Sequence, residues 1–118
     1  MLKQRINSFG YAFKGIFDLF RSQPNAWIHL LAAFVVIAAG FYCQLSNAEW
    51  AVVLLTIFAV LAAEALNTAI EYLTDLVSPE YHPLAGKTKD AAAAGVLLVA
   101  MGAICVGGFI FLPKIINF

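Results

Sequence analysis

Glu64-Ala65-Leu66-Asn67-Thr68-Ala69-Ile70-Glu71-Tyr72-Leu73-Thr74-Asp75 is the stretch on which the fold turns. An uncharged run, Ala51 to Ala63, leads into it, so a helix begun in an apolar setting acquires carboxylates without ending. At about 100° per residue, Asn67 falls roughly −60° from Glu64, Glu71 roughly −20° and Asp75 roughly +20°. All four share one narrow face, with Thr68 at its edge. Most of the remaining positions are Ala, Leu, Ile or Tyr. A polar stripe on an otherwise apolar membrane helix is costly, and by default it marks a functional site.

Composition points the same way. Hydrophobic residues make up 63% of the 118 and charged residues 12%, against about 25% charged in soluble domains. The length suits one domain, 1–118. The N-terminal stretch lacks the early apolar block and cleavage site of a signal peptide. Seven basic residues balance seven acidic ones, so no nucleic-acid partner is expected. Cys43 and Cys105 fall in apolar segments and read as small core residues, with neither a disulfide nor a metal role.

Outward from the stripe, the expected class is all-α, with an amphipathic helix followed by three spans. Residues 1–22 place apolar side chains at 6, 9, 13, 16/17 and 20 among Lys3, Arg5, Lys14, Asp18 and Arg21. That is the helical period, and a basic, aromatic-rich helix of this kind lies in the membrane interface or packs on its own bundle. Pro24 sets the turn that follows. Residues 26–45 form a first span, with only His29 and Gln44 strongly polar. His29, near its start, reads as an ordinary interfacial histidine. Residues 46–49 are expected to turn, 50–76 to span again, and 77–88 to form the one real loop. A third span covers 91–112, with small residues that permit close helix approach, and Pro113-Lys114 ends it.

Orientation follows from the Lys/Arg bias. Lys3, Arg5, Lys14 and Arg21 precede the first span, Lys87 and Lys89 lie beside the second loop, and the 46–49 turn has none. The N-terminus and second loop are therefore expected on the cytoplasmic side, with Lys114 alone against the trend. Glu64 then lies about 21 Å beyond Trp50 along the helix and Glu71 about 31 Å. Glu64 sits in the inner third of the hydrocarbon, a position suited to a general base acting on a lipid. Glu71 lies at the interface, where an ionised carboxylate can hold a divalent cation. Lys89-Asp90 supplies a phosphate contact and a further acceptor at the same level. Gly86-Lys87-Thr88 resembles the tail of a P-loop, but Tyr81 stands where the first glycine belongs and no strand precedes it, so that fold is rejected.

The residues Glu64 to Glu71, then Asp75, Glu80-Tyr81-His82-Pro83-Leu84-Ala85 and Lys89-Asp90-Ala91-Ala92, resemble the bacterial diacylglycerol kinase and undecaprenol kinase family. Gly10-Tyr11-Ala12-Phe13-Lys14-Gly15 and residues 25–29 extend the resemblance over nearly the whole chain. The family implies a homotrimer of three-span subunits that uses Mg²⁺ and ATP to phosphorylate a lipid alcohol at the inner face. Diacylglycerol would give phosphatidate, and undecaprenol would give undecaprenyl phosphate. By position, the resemblance makes Glu64 the catalytic base with Asn67 beside it, and Glu71 a magnesium ligand. It makes Tyr11, Glu71, Glu80, His82, Lys89 and Asp90 nucleotide contacts. Gln23 stands where the family supplies a second metal-binding glutamate, and an amide oxygen adds no charge. His82-Pro83-Leu84-Ala85 and Leu112-Pro113-Lys114 look more like the undecaprenol kinase branch.

Two other classes fit the stripe less well. A small proton-coupled transporter would use Glu64 as a carrier carboxylate but has no need of Lys89-Asp90. In a structural subunit the stripe would be helix glue. Three spans cannot both wrap a stripe from Asn67 to Asp75 and leave a lipid gate, so an oligomer with a shared site is expected.

Overall fold

The computed structural model describes residues 1–117, and these form four helices: α1 Leu2–Ser22, α2 Pro24–Tyr42, α3 Asn47–Val77 and α4 Pro83–Ile116. No strand occurs among the described residues. The class is all-α. The last three helices are each long and apolar enough to cross a membrane.

Helix α1 is amphipathic and buries only Leu19 within the chain. It meets α2 at a single residue, for Gln23 caps the end of α1 and the start of α2 in an extended conformation. Pro24 at the first position of α2 has no N–H to leave unsatisfied. The bend is held by the Trp27 indole, which donates to the Phe20 carbonyl and packs its ring edge-on against Phe20 at 5.6 Å.

The helix ends differ from the sequence-based ones for identifiable reasons. Helix α2 stops at Tyr42 and not at 45, because Gln44 adopts a left-handed φ of 54°. Residues 47–49, expected in a turn, are the first turn of α3. Ser46 and Glu49 form a capping box, in which the serine hydroxyl accepts from the Glu49 N–H and the glutamate accepts from the Ser46 N–H. The loop expected over 77–88 shrinks to residues 78–82. His82 Nδ1 accepts from the Leu84 N–H and Pro83 takes the first helical position, so Gly86 to Asp90 belong to α4. At the other end α4 runs through Pro113 to Ile116. A proline this close to a helix end sacrifices little of the remaining hydrogen-bond ladder.

The three spans are joined most closely at the α2–α3 turn. Cys43, Leu45 and Val53 are buried there, with Val36, Trp50, Ile57, Ile110 and Phe111 packed on them. Gly40 makes the approach possible, since a Cβ on it would lie 2.6 Å from the Trp50 ring. Lys114 pairs with Glu49 at 3.1 Å across the same end, which gives a partner to the one lysine that opposes the charge bias. Cys105, expected in the core, is exposed on α4, on a face that no other helix covers among the described residues.

At 1.5 Å per residue α2 is about 28 Å long, α3 about 46 Å and α4 about 51 Å, against a hydrocarbon core of about 30 Å. With α2, α3 and α4 tied together at the turn, the surplus of α3 and α4 lies at the opposite end. That is the end that carries Glu71, Asp75, Lys89 and Asp90.

Candidate active site

Glu64 is the most enclosed large side chain among the described residues, at 1% exposure. The uncharged run before it carries it along α3 past the apolar core and against α2. There His29 Nε2 lies 3.6 Å from Glu64 Oε2. His29 is thus no free interfacial residue. It could have been found by counting from the shared turn: His29 lies about 20 Å back along α2 from Tyr42, and Glu64 about 21 Å along α3 from Trp50. Beyond this pair lies a cavity of about 340 Å³ between α2, α3 and α4, walled by His29, Val53, Val60, Ala103, Gly107 and Phe111 among other mostly apolar residues.

One turn further on, Asn67 donates through Nδ2 to Glu71 Oε1 at 3.2 Å. Its other amide atom, Oδ1, is buried with no hydrogen-bond partner among the described residues. A buried acceptor left without a donor is expensive, so this face offers one acceptor to an incoming group. Thr68 is buried too, its hydroxyl donating to the Glu64 carbonyl at 2.9 Å. Thr74 donates likewise to the Ile70 carbonyl at 2.7 Å. These hydroxyls bond back along the helix, which leaves the carboxylates to face outward from it.

The surplus end of α3 is polar and more open. Lys89 Nζ lies 2.5 Å from Asp75 Oδ1, so the predicted phosphate-contacting lysine is held within the chain by a carboxylate of the stripe. Both side chains are well exposed, at 42% and 62%, and an exposed pair of this kind contributes little stability. Asp90, next along α4, is exposed.

A second linkage, not foreseen from the sequence, ties α1 to the same level. The Tyr72 hydroxyl donates to Asp18 Oδ2 at 2.8 Å and lies 3.1 Å from the Ser22 hydroxyl. Tyr72 follows Glu71 and Ser22 precedes Gln23, so the α1–α2 joint is drawn to the Glu71 turn. Gln23 is half-buried there. The only advance sign was Asp18, an acidic residue on a basic helix.

The remaining predicted residues are less closely gathered. Tyr11 is exposed on α1, with the Lys14 ammonium 5.7 Å over its ring, and no hydrogen bond or ring contact joins it to α3 among the described residues. Glu80 and His82 are exposed in the short loop and at the start of α4. One ring nitrogen of His82 is committed to capping that helix. Among the described residues no three His, Cys, Asp or Glu side chains gather as a metal cluster.

A buried carboxylate on a helix apolar enough to cross a membrane, with ionisable groups continuing along one face to an exposed end, is an arrangement able to meet an apolar and a water-soluble ligand together. Comparison with known proteins identifies the family. The family model for prokaryotic diacylglycerol kinase matches residues 10–111. The chain is 40% identical over 114 residues to undecaprenol kinase from Bacillus subtilis, covering 97% of this chain and 93% of that one. It is 41% identical over 111 residues to diacylglycerol kinase from Synechocystis sp., covering 93% of this chain and 63% of that one. With diacylglycerol kinase from Escherichia coli it shares 35% over 107 residues, 84% of this chain and 81% of the other. The chain belongs to the prokaryotic diacylglycerol kinase family. It is a multi-pass membrane protein and a lipid kinase, a transferase that uses ATP. The comparisons lend no support to the transporter.

Proposed function

We propose that this enzyme transfers the γ-phosphoryl group of ATP to the hydroxyl of undecaprenol, with diacylglycerol as the alternative acceptor. The observation that carries the phosphoryl-transfer reading is the polar face of α3, which runs from enclosed Glu64 to exposed Asp75, where Lys89 of α4 joins it. A lipid hydroxyl drawn slightly into the membrane meets Glu64, and a nucleotide in water meets the other end. The preference for undecaprenol is supported by the Bacillus subtilis relative, which aligns over nearly all of both chains, and by the His82-Pro83-Leu84-Ala85 and Leu112-Pro113-Lys114 segments.

In this mechanism Glu64 takes the proton of the lipid hydroxyl as that oxygen attacks the γ-phosphorus. Asn67 orients Glu71 by the bond from its Nδ2. Lys89, released in part from Asp75, and Asp90, Glu80, His82 and Tyr11 contact the nucleotide. The donor set suits Mg²⁺ of a particular kind. There is no all-protein cage among the described residues, and one carboxylate held in place by an amide fits an ion that keeps substrate phosphates and waters in its shell. Glu71 would hold it, with the Gln23 amide oxygen as a weaker neighbour. Bound there, Mg²⁺ neutralises charge on the transferring phosphates.

The positive-inside bias supports an inner-membrane protein with a cytoplasmic N-terminus. The same reading makes the active unit a homotrimer with sites shared between subunits. Large apolar side chains such as Leu97, Leu98, Ile104 and Phe109 are exposed along α4, leaving faces on which a neighbour can pack.

Label transfer from ATP to undecaprenol and to diacylglycerol, offered side by side to purified protein, tests the activity and the acceptor together. Transfer to neither lipid rejects the reading, and transfer to diacylglycerol alone reverses the preference. Mixing Glu64→Gln chains with Lys89→Ala chains, each inactive alone, should restore part of the activity through hybrid oligomers. Hybrids that form but stay inactive place the site within one chain.

A further inference from the structure

His29 has no role in the mechanism so far, yet its ring nitrogen faces the enclosed carboxylate. Glu64 is only 2% exposed as a side chain, while His29 is 20% exposed. The Thr68 hydroxyl bonds the backbone carbonyl of Glu64 and leaves the carboxylate free to rotate. No side-chain hydrogen bond restrains the Glu64 carboxylate among the described residues. A base must present one oxygen to its proton within about 3 Å, so free rotation of that group weakens it. His29 Nε2 at 3.6 Å from Oε2 is a donor positioned to stop the rotation. The gap is slightly longer than a hydrogen bond, and catalytic contacts of this kind commonly tighten once substrate is bound.

The surroundings make this pairing selective. The cavity on the far side of the His29 ring is lined by apolar residues from α2, α3 and α4, with Thr56 the one polar exception, and the Thr56 hydroxyl is already given to the Val52 carbonyl. His29 and Glu64 therefore have each other as polar partners between α2 and α3 at this depth. The α2–α3 contact does not depend on them, because Cys43, Leu45 and Val53 close it at the other end.

We propose that His29 is a positioning residue for the reaction: its Nε2–H holds Oε2 of Glu64, turning Oε1 toward the hydroxyl of the lipid alcohol. This rests on Glu64 as the base, and the experiment separates the two. Full-length Glu64→Gln, His29→Leu, His29→Gln and His29→Ala proteins are compared for kcat and for KM toward ATP and lipid. His29→Leu fills the space without a donor, and kcat should fall by about 10²-fold, the scale of a misplaced reacting group, with both KM values nearly unchanged. His29→Gln restores an N–H donor and should recover about tenfold of that loss. Imidazole added to His29→Ala should raise its rate, because the neighbouring cavity leaves room for the ring, and should do nothing for Glu64→Gln. Wild-type kcat in His29→Leu beside an inactive Glu64→Gln overturns the positioning role alone. So do equal losses in the leucine and glutamine variants without imidazole rescue. Should His29→Leu fail to fold, His29→Ala with and without imidazole decides. If Glu64→Gln itself turns over normally, the base assignment fails whatever His29 does.

Discussion

From Asn47 to Val60, α3 packs on Cys43, Leu45 and the side chains of α2 and α4, and its only ionisable group is the capping Glu49. From Glu64 to Asp75 the same helix carries a series of polar interactions: Glu64 with His29, Asn67 with Glu71, Tyr72 with Asp18 and Ser22, and Asp75 with Lys89. The first half fixes where α2, α3 and α4 stand. The second half spends that rigidity on holding charged groups at chosen depths. An apolar contact is non-directional and tolerates small shifts, whereas a buried carboxylate is tolerated only where a partner meets it. The turn end therefore sets the frame, and the stripe end depends on it.

If the two halves are separable in this way, damage to each should have a different signature. The largest effect is expected from Glu64→Gln, which keeps size and removes basicity. Turnover should fall by about 10²–10⁴-fold while thermal unfolding in detergent stays close to wild type. Near-normal turnover in folded protein would remove Glu64 from the chemistry and leave the stripe as helix glue.

Next come the two metal positions. Glu71→Gln should raise the Mg²⁺ concentration needed for half-maximal rate by more than the roughly 10–100-fold that loss of an outer-shell partner costs, or abolish activity, and Gln23→Glu should lower it. A Mg²⁺ titration reads both. An unchanged requirement in Gln23→Glu would put position 23 outside the metal shell, despite the Ser22–Tyr72 contact that draws it close.

At the turn end, Gly40→Ala places a methyl group 2.6 Å from the Trp50 ring. That ring also packs against Phe41 at 4.9 Å and has little room to retreat. Overpacking of this kind costs about 1–3 kcal/mol, read as a lower unfolding midpoint, with turnover per folded molecule retained. Equal losses of stability and turnover would mean that the two ends are coupled more tightly than their contacts suggest.

The smallest effect should come from Tyr72→Phe, which removes the hydroxyl joining Asp18 and Ser22. The loss is about 1 kcal/mol, and proteolysis of α1 should become faster while the spans stay protected. An unaltered rate of cleavage would show that α1 is held by the Leu19 and Phe20–Trp27 contacts instead.

Much of the architecture was written in local chemistry. The all-α class, the three spans and the amphipathic α1 follow from apolar runs long enough for a membrane and from the 3.6-residue period, and the common face of Glu64, Asn67, Glu71 and Asp75 follows from helical geometry alone. The burial of Glu64 was legible because an uncharged stretch leads to it. Helix ends were less so. The 47–49 and 83–88 segments look like loops by polarity, and they are helical because Ser46 and His82 satisfy free backbone N–H groups at each start.

The tertiary structure alone decided which polar groups meet. Glu64 found His29, Lys89 found Asp75 and Tyr72 found Asp18, pairs separated along the chain by as much as 54 residues. Helical rise from the shared turn puts His29 and Glu64 at one level, but residue type and period do not say which side chains at a level confront each other, because that depends on helix rotation and on the bend at Gln23. A sequence fixes a helix's own faces through its backbone geometry. Which face of one helix confronts which face of another is set by packing at the α2–α3 turn, where Gly40 and Trp50 lock the register.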